Sequence, residues 1–280
     1  MTVYPLTFAL GPLTITGYGL MMMVGFLVAG WTIQHQLRQR GLNEDYAGDI
    51  VVAAVIGGIV GAKLWYVVLT GDPSALLSRG GLVWYGGFLG GCAGVIIGGW
   101  MKKVPIRLTM DLVAPALAVG YGLGRVGCFM VQDDYGIPTN LPWAVRFPQG
   151  LPPSTAQNMH DQFGVPIPAG VNPTDVLAVH PTQLYEVTAM LFVFWLLWRI
   201  RNHRHGTGWL FGLYLLFGGI ERFLVEFLRA KDDRFFGIFT VAQLTSLGLI
   251  VVGIAILVHL WNKGPVTIPR DSTVLATSSG

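Results

Sequence analysis

Seven near-continuous apolar stretches recur along the 280 residues: Leu13 to Ile33, Ile50 to Leu69, Leu82 to Met101, Met110 to Val131, Leu184 to Ile200, Leu210 to Leu228 and Ile238 to Trp261. A helix of about 20 residues, rising 1.5 Å per residue, crosses a hydrocarbon core about 30 Å thick. Hydrophobic residues make up 52% of the chain and charged ones 12%, the latter about half the fraction usual in soluble domains. The expected fold is therefore all-α, a polytopic membrane protein with seven transmembrane helices. No Lys or Arg precedes Arg38, so the first stretch lacks the basic opening of a secretory signal peptide and reads as a retained span.

The distribution of charge orients those spans. One set of alternate loops holds ten cations, Arg38, Arg40, Lys102, Lys103, Arg107, Arg199, Arg201, Arg204, Lys263 and Arg270. The other holds five, Arg79, Arg146, Arg229, Lys231 and Arg234, with Asp232 and Asp233 among them. The positive-inside rule places the N-terminus outside and the C-terminus in the cytoplasm. Residues 1–261 read as one transmembrane domain and 262–280, rich in Pro, Thr and Ser, as a flexible cytoplasmic tail. The extracytoplasmic loop 133–182 carries nine of the sixteen prolines and is expected to be at least partly ordered, because loops of that length are usually functional or disordered.

Small residues at four-residue spacing, Gly57 and Gly61, Gly86, Gly90 and Gly94, and Gly120 and Gly124, predict closely packed helices, since hydrophobic burial does not drive helix association within lipid. Cys92 and Cys128 fall inside spans and match neither a disulfide framework nor a metal-ligand spacing. No cofactor, metal or nucleic acid is implied.

Three cations remain inside spans, Lys63, Arg125 and Arg222. Lys63, in the outer half of its span, can snorkel to the interface. For the arginines, an uncompensated cation in hydrocarbon costs at least about 2.5–3.5 kcal/mol, so both side chains are expected to face a protein interior or a wet cavity. The topology brings further polar groups to the same outer depth: Tyr18 in the first span, Tyr85 in the third, His180, Gln183, Tyr185 and Glu186 at the start of the fifth, and Glu221, Glu226 and Arg229 at the end of the sixth. Arg222, Glu226 and Arg229 sit at i, i+4 and i+7, so Glu226 can pair with either arginine. Paired guanidiniums at headgroup depth suit bidentate donation to phosphate oxygens, making a phospholipid clamp. A purely structural ion-pair set is the plainer alternative. His180 precedes Pro181 and reads equally as a helix-start residue or a proton carrier, and Asp133 and Asp134 read as solvated acids.

The motifs "GYGLMMMVGF", "YGGFLGG", "GRVGCFMVQDDYG", "HPTQLYE" and "ERFLVEFLR", in that order, resemble the prolipoprotein diacylglyceryl transferases of bacterial inner membranes. The resemblance implies seven transmembrane helices with the N-terminus outside. It also implies transfer of the diacylglyceryl group of phosphatidylglycerol to the lipobox cysteine in the signal peptide of a preprolipoprotein, forming a thioether and releasing glycerol phosphate. Arg125 then matches the family's signature arginine at the lipid headgroup and Arg222 a second essential arginine, while Tyr18, Gly136 and Glu226 match further family positions.

Against the signature Gly-Arg-x-Gly-Asn-Phe-x-Asn-Gly-Glu, this chain has Cys128 and Val131 for the two Asn residues, followed by Gln132 and Asp133. Where some members have His-Gly-Gly, with the histidine proposed as the thiol's base, it has Tyr85-Gly86-Gly87. A Tyr, with an ordinary pKa of about 10, is expected to orient rather than to accept a proton. The resulting set has Arg125, Arg222, Tyr85, Glu226 and His180 as catalytic candidates, with Glu226 and His180 as the possible bases. Arg125, Tyr18, Cys128, Asp133, Gly136 and Arg229 are the expected contacts to phosphatidylglycerol. Cys128, three residues after Arg125, reads either as a small apolar filler or as a thiol activated by that cation. Two rival readings are a divergent or inactive paralogue that binds lipid or signal peptide, and an ion-coupled transporter or receptor. The second is disfavoured because the inner halves of the spans carry little beyond Asp49 and Asp111.

Overall fold

The computed structural model describes residues 1–275 apart from 11–12, 78–82, 168–169, 232–233 and 236–238. Arg79, Asp232 and Asp233, counted above among the loop charges, lie outside the described residues, as do 276–280 of the tail. Eight α-helices carry the fold among the described residues. They are α1 (Gly17–Gln39), α2 (Asp45–Thr70), α3 (Trp84–Met101), α4 (Ile106–Val131), α5 (Ala156–Phe163), α6 (Thr182–Arg199), α7 (Trp209–Val225) and α8 (Val241–Leu260). Each of the seven apolar stretches overlaps one of these helices, α5 being the exception without a stretch. Four of them, α1, α2, α4 and α8, are long and apolar enough by length and composition to cross a membrane, and Tyr85–Met101 forms a shorter apolar helix.

The element boundaries depart from the apolar limits for local reasons. The first helix begins at Gly17 rather than Leu13 because Leu13–Thr16 (β2) pairs antiparallel with Thr7–Leu10 (β1). The run Thr14-Ile15-Thr16 is β-branched and suits a strand, and Gly17 N–H donates to the Leu6 carbonyl at 2.7 Å where the hairpin gives way to helix. The sixth apolar stretch runs to Leu228, but α7 stops at Val225. The chain then continues in tight turns, Phe227 N–H to Leu224 O and Leu228 N–H to Val225 O. Arg229 therefore lies beyond the helix, not on its face.

The chain divides into two compact units. The first comprises Met1–Val28, Leu117–His203 and Leu210–His259; the second comprises Ala29–Ala116, Arg204–Trp209 and the segment from Leu260 onward. In the second unit, α2 and α3 meet backbone to backbone. A Cβ added at Gly90 would collide with the Gly57 carbonyl oxygen and lie 2.7 Å from Gly61 Cα. Gly57, Gly61, Gly86 and Gly94 are equally tight, which accounts for the rows on α2 and α3 as packing; a Cβ at Gly124 on α4 would meet only Met22 Sδ at 3.9 Å. Leu37, Leu112 and Val274, all fully buried, belong to this unit's core. The tail is thus held as far as Leu275, with Asn43 N–H donating to the Val274 carbonyl at 2.9 Å and Lys103 paired with Asp271.

In the first unit, loop 133–182 builds a small core of its own. Tyr135, Val145, Phe147, Met159, Val179 and Ala230 form it, with the Tyr135 and Phe147 rings stacked at 5.3 Å. Within the loop, Val145–Arg146 (β3) pairs with Ala178–Val179 (β4), and α5 is capped by the Thr155 hydroxyl, which accepts from Asn158 N–H at 3.3 Å. Arg234–Phe235 (β5) and Phe239–Thr240 (β6) make a third short hairpin before α8.

Candidate active site

The site lies within the first unit, where α4, α6, the end of α7 and the start of loop 133–182 come together. At its base is Glu186 on α6, fully buried. Tyr121, one turn before Arg125 on α4, donates its hydroxyl to Glu186 Oε2 at 2.7 Å and accepts from Arg125 Nε and Nη2, each at 3.2 Å. The Arg125 guanidinium is in direct ion-pair contact with Glu186 Oε2. From the other side, Arg222 Nη1 and Arg229 Nη1 lie 4.0 and 3.7 Å from Glu186 Oε1. One buried carboxylate thus gathers three guanidiniums, a compensation that α4 and α7 need if their cations are to sit among apolar spans.

Glu226 supplies a second buried acid. Its Oε2 is 2.8 Å from Arg222 Nη2 and 3.7 Å from Arg229 Nε, so it pairs with both arginines, as the i, i+4 and i, i+3 spacing allows. The third acid is Asp134, the most exposed of them: Oδ2 accepts from Arg125 Nη1 at 2.7 Å and Oδ1 is bonded to Arg229 Nη2. Burial opposes its charged form, yet Arg229 and Arg125 prevail and hold the Asp134 carboxyl below its ordinary value. Its neighbour Asp133 is pushed up, by burial first and then by the charge of Asp134.

Several buried polar atoms of this cluster lack a hydrogen-bond partner, among them Arg222 Nη1, Arg229 Nε, Glu186 Oε1 and both carboxylate oxygens of Glu226. Buried polar groups are nearly always satisfied. Unspent guanidinium N–H groups facing a shared interior are what an anion-binding site retains for its ligand.

Gly136 acts through space rather than contact. Its backbone bridges to Arg229, with Ile137 N–H donating to the Leu228 carbonyl at 2.9 Å. A Cβ there would strike the Leu228 carbonyl oxygen and lie 2.7 Å from His180 Cβ and 2.8 Å from Thr182 Cγ2. Only glycine lets the exit of α4, the end of α7 and the start of α6 meet. Tyr18 on α1 is half-exposed and crosses α4 at Gly127, where an added Cβ would be 3.1 Å from Tyr18 Cα.

His180 stands apart from the guanidiniums in its bonding. Its Nδ1 meets the Tyr185 hydroxyl at 3.2 Å, and Tyr185 accepts from Trp143 Nε1 at 2.7 Å. Burial lowers its pKa, favouring the neutral ring. Pro181 occupies the N-cap of α6, one position outside the first turn. Cys128 is buried and its sulfur accepts from Arg125 Nη1 at 3.8 Å. The Cys128 sulfur and the carboxylates of Asp133 and Asp134 lie within 4.8 Å of one another, but the guanidinium of Arg125 touches both Cys128 and Asp134, so a cation already occupies that corner. Tyr85 opens α3 in the second unit, half-exposed. Lys63 belongs to that unit as well.

Two members of the cluster escaped the sequence reading. Tyr121 is visible only as the residue four before Arg125, and Glu186 stood among several polar groups of one motif with nothing to rank it above them. Asp134, read from the sequence as a solvated acid, is one of the three paired acids.

The family model of the prolipoprotein diacylglyceryl transferases matches residues 5–259. A protein named phosphatidylglycerol–prolipoprotein diacylglyceryl transferase from Clostridium tetani is 34% identical over 257 residues, covering 89% of this chain and 95% of the relative. Relatives of the same name from Pseudoalteromonas translucida and Geobacter sulfurreducens are 32% and 33% identical, covering 92% and 93% of this chain and 93% and 97% of themselves. With the motifs in order, three guanidiniums gathered on one buried glutamate and a match that runs almost end to end, the chain belongs to the prolipoprotein diacylglyceryl transferase family.

Proposed function

We propose that this protein transfers the diacylglyceryl group of phosphatidylglycerol to the thiol of a lipobox cysteine in a preprolipoprotein signal peptide. The thiol sulfur forms a bond to the glyceryl carbon that carries the phosphate ester. The C–O bond to the phosphate oxygen breaks, its electron pair leaves with glycerol phosphate, and the thiol proton passes to a base. The observation that carries this reading is the unpartnered Nη1 of Arg222 beside Arg125 on the buried Glu186. Guanidiniums fixed before the reaction stabilise charge growing on the leaving oxygen without reorganising.

Arg125, Arg222 and Arg229 together hold the headgroup phosphate in this reading. Tyr18, Asp133 and Cys128 line the lipid's approach, Gly136 keeps the loop close, and Tyr85 orients substrate. Of the two candidate bases, Glu226 is better placed than His180. Its carboxylate is buried within the guanidinium cluster, Oε2 2.8 Å from Arg222 Nη2 and Oε1 without a hydrogen-bond donor, whereas the Nδ1 of His180 is taken by Tyr185.

The seven long helices α1, α2, α3, α4, α6, α7 and α8 then cross the bacterial cytoplasmic membrane, N-terminus outside and C-terminus in the cytoplasm, with the site opening to the outer leaflet. The substrates are a membrane lipid and a membrane-inserted signal peptide, and loop 133–182 helps to admit the peptide. Purified protein, phosphatidylglycerol and a lipobox peptide give a diacylglyceryl adduct by mass spectrometry. Arg125→Ala lowers turnover by about 10²-fold or more while the protein still inserts and folds. Full activity in that variant refutes the assignment, and ion flux in proteoliposomes without lipid turnover would favour a transporter instead.

A further inference from the structure

We infer that Asp134 is an internal competitor of the lipid headgroup, a carboxylate that occupies a phosphate position between Arg125 and Arg229 and is displaced when the phosphodiester enters. The inference rests on the phosphatidylglycerol reading above. Its first ground is geometry. The two oxygens of Asp134 are divided between two guanidiniums from different parts of the chain, Oδ2 to Arg125 Nη1 and Oδ1 to Arg229 Nη2. The two non-bridging oxygens of a phosphodiester present the same paired acceptors to the same planar donors.

The second ground is depth. The side chains of Glu186 and Glu226 are 0% and 1% exposed, those of Arg229 and Arg125 8% and 15%, and that of Asp134 38%. Two of the acids are buried with the cations; Asp134 is the one open to solvent. The third ground is the backbone. Gln132 and Asp134 hold positive φ values of 65° and 61°, a conformation uncommon outside glycine and one that recurs at functional sites. The carbonyl oxygens of Asp133 and Asp134 are fastened by Gln183 Nε2 at 2.5 Å and Thr182 Oγ1 at 2.8 Å. The main chain therefore stays while the short side chain turns aside about its own torsions.

Charge makes the exchange selective. Asp134 is the acid that bridges the guanidiniums of Arg125 and Arg229. Moving Asp134 away exposes two cations, which a phosphodiester anion satisfies and an uncharged headgroup does not. After transfer, the return of Asp134 to the arginines expels glycerol phosphate.

The test uses the full-length protein in lipid nanodiscs and the variants Asp134→Asn and Asp134→Ser, the second in case the amide alone perturbs folding. The readouts are KM for phosphatidylglycerol with a lipobox peptide, and the inhibition constants of free glycerol phosphate and inorganic phosphate. Removing the competitor lowers KM and both inhibition constants by about tenfold, equivalent to about 1.4 kcal/mol. A fall for phosphatidylglycerol alone shows that the position admits only the lipid-borne phosphate; a fall in all three shows that any phosphate enters. If Asp134 merely braces the arginines, both variants raise KM, and the inference is overturned; unchanged constants overturn it too. Should the wild type form no thioether while the variants still bind phosphatidylglycerol more tightly by native mass spectrometry, the transferase reading fails and the competitor stands. Normal transfer with no shift in the variants removes the competitor alone.

Discussion

Glu186 has no surface to meet solvent and three cations to satisfy. Taking one partner out of a buried ion pair typically costs about 3–5 kcal/mol, because the remaining charge is stranded. Glu186→Ala therefore lowers the melting temperature of the detergent-purified protein sharply, while Tyr185→Phe, which keeps the ring and the helix, does so only mildly; equal melting curves for Glu186→Ala and wild type would contradict the keystone role. The cost of a cation in hydrocarbon marks Arg125 and Arg222 from sequence alone. That argument says that a partner exists without saying which acid it is. Glu186, Glu226 and Asp134 are alike in one dimension and are ranked only by burial, from 0% for Glu186 to 38% for the Asp134 side chain. His180 is the opposite case: a histidine in a polar motif suggests proton transfer, while its bond to Tyr185 is invisible to spacing.

At the level of elements, the glycine rows translate directly into the α2–α3 contact, since four-residue spacing puts them on one face of each helix. Gly90→Ala drives a methyl into the Gly57 carbonyl and is expected to cost about 1–3 kcal/mol as overpacking, seen as a lowered unfolding temperature. Gly98→Ala meets only the Ala53 methyl at 3.5 Å, an ordinary contact, and leaves that temperature within a degree or two of wild type by its size alone. Similar losses from both changes would show that helix propensity, not close approach, governs the pair. Hydrophobic periodicity also located the helices but not the end of α7. The run "FLVEFLRAK" contains no Gly or Pro to stop it. The stop comes from residues far away in sequence, where Tyr135, Gly136 and Ile137 pair with Leu228, Arg229 and Ala230.

For the whole molecule, the unequal division of Lys and Arg between alternate loops is the basis for an outward N-terminus. In a Cys92→Ser background, a cysteine at position 4 is expected to react with a membrane-impermeant thiol reagent in intact cells, and one at position 263 only after lysis; the reverse pattern would invert the proposed orientation. The long loop 133–182 could be recognised by its prolines, but not its packing, because the Tyr135–Phe147 stack and the β3–β4 pairing join residues that are not neighbours in sequence. The close passage at Gly136 ties these scales together. With no gap between that residue and the Leu228 carbonyl, the end of α4 and the turn after α7 are yoked, and in the proposed lipid site the guanidiniums of Arg125 and Arg229 would close as a single jaw.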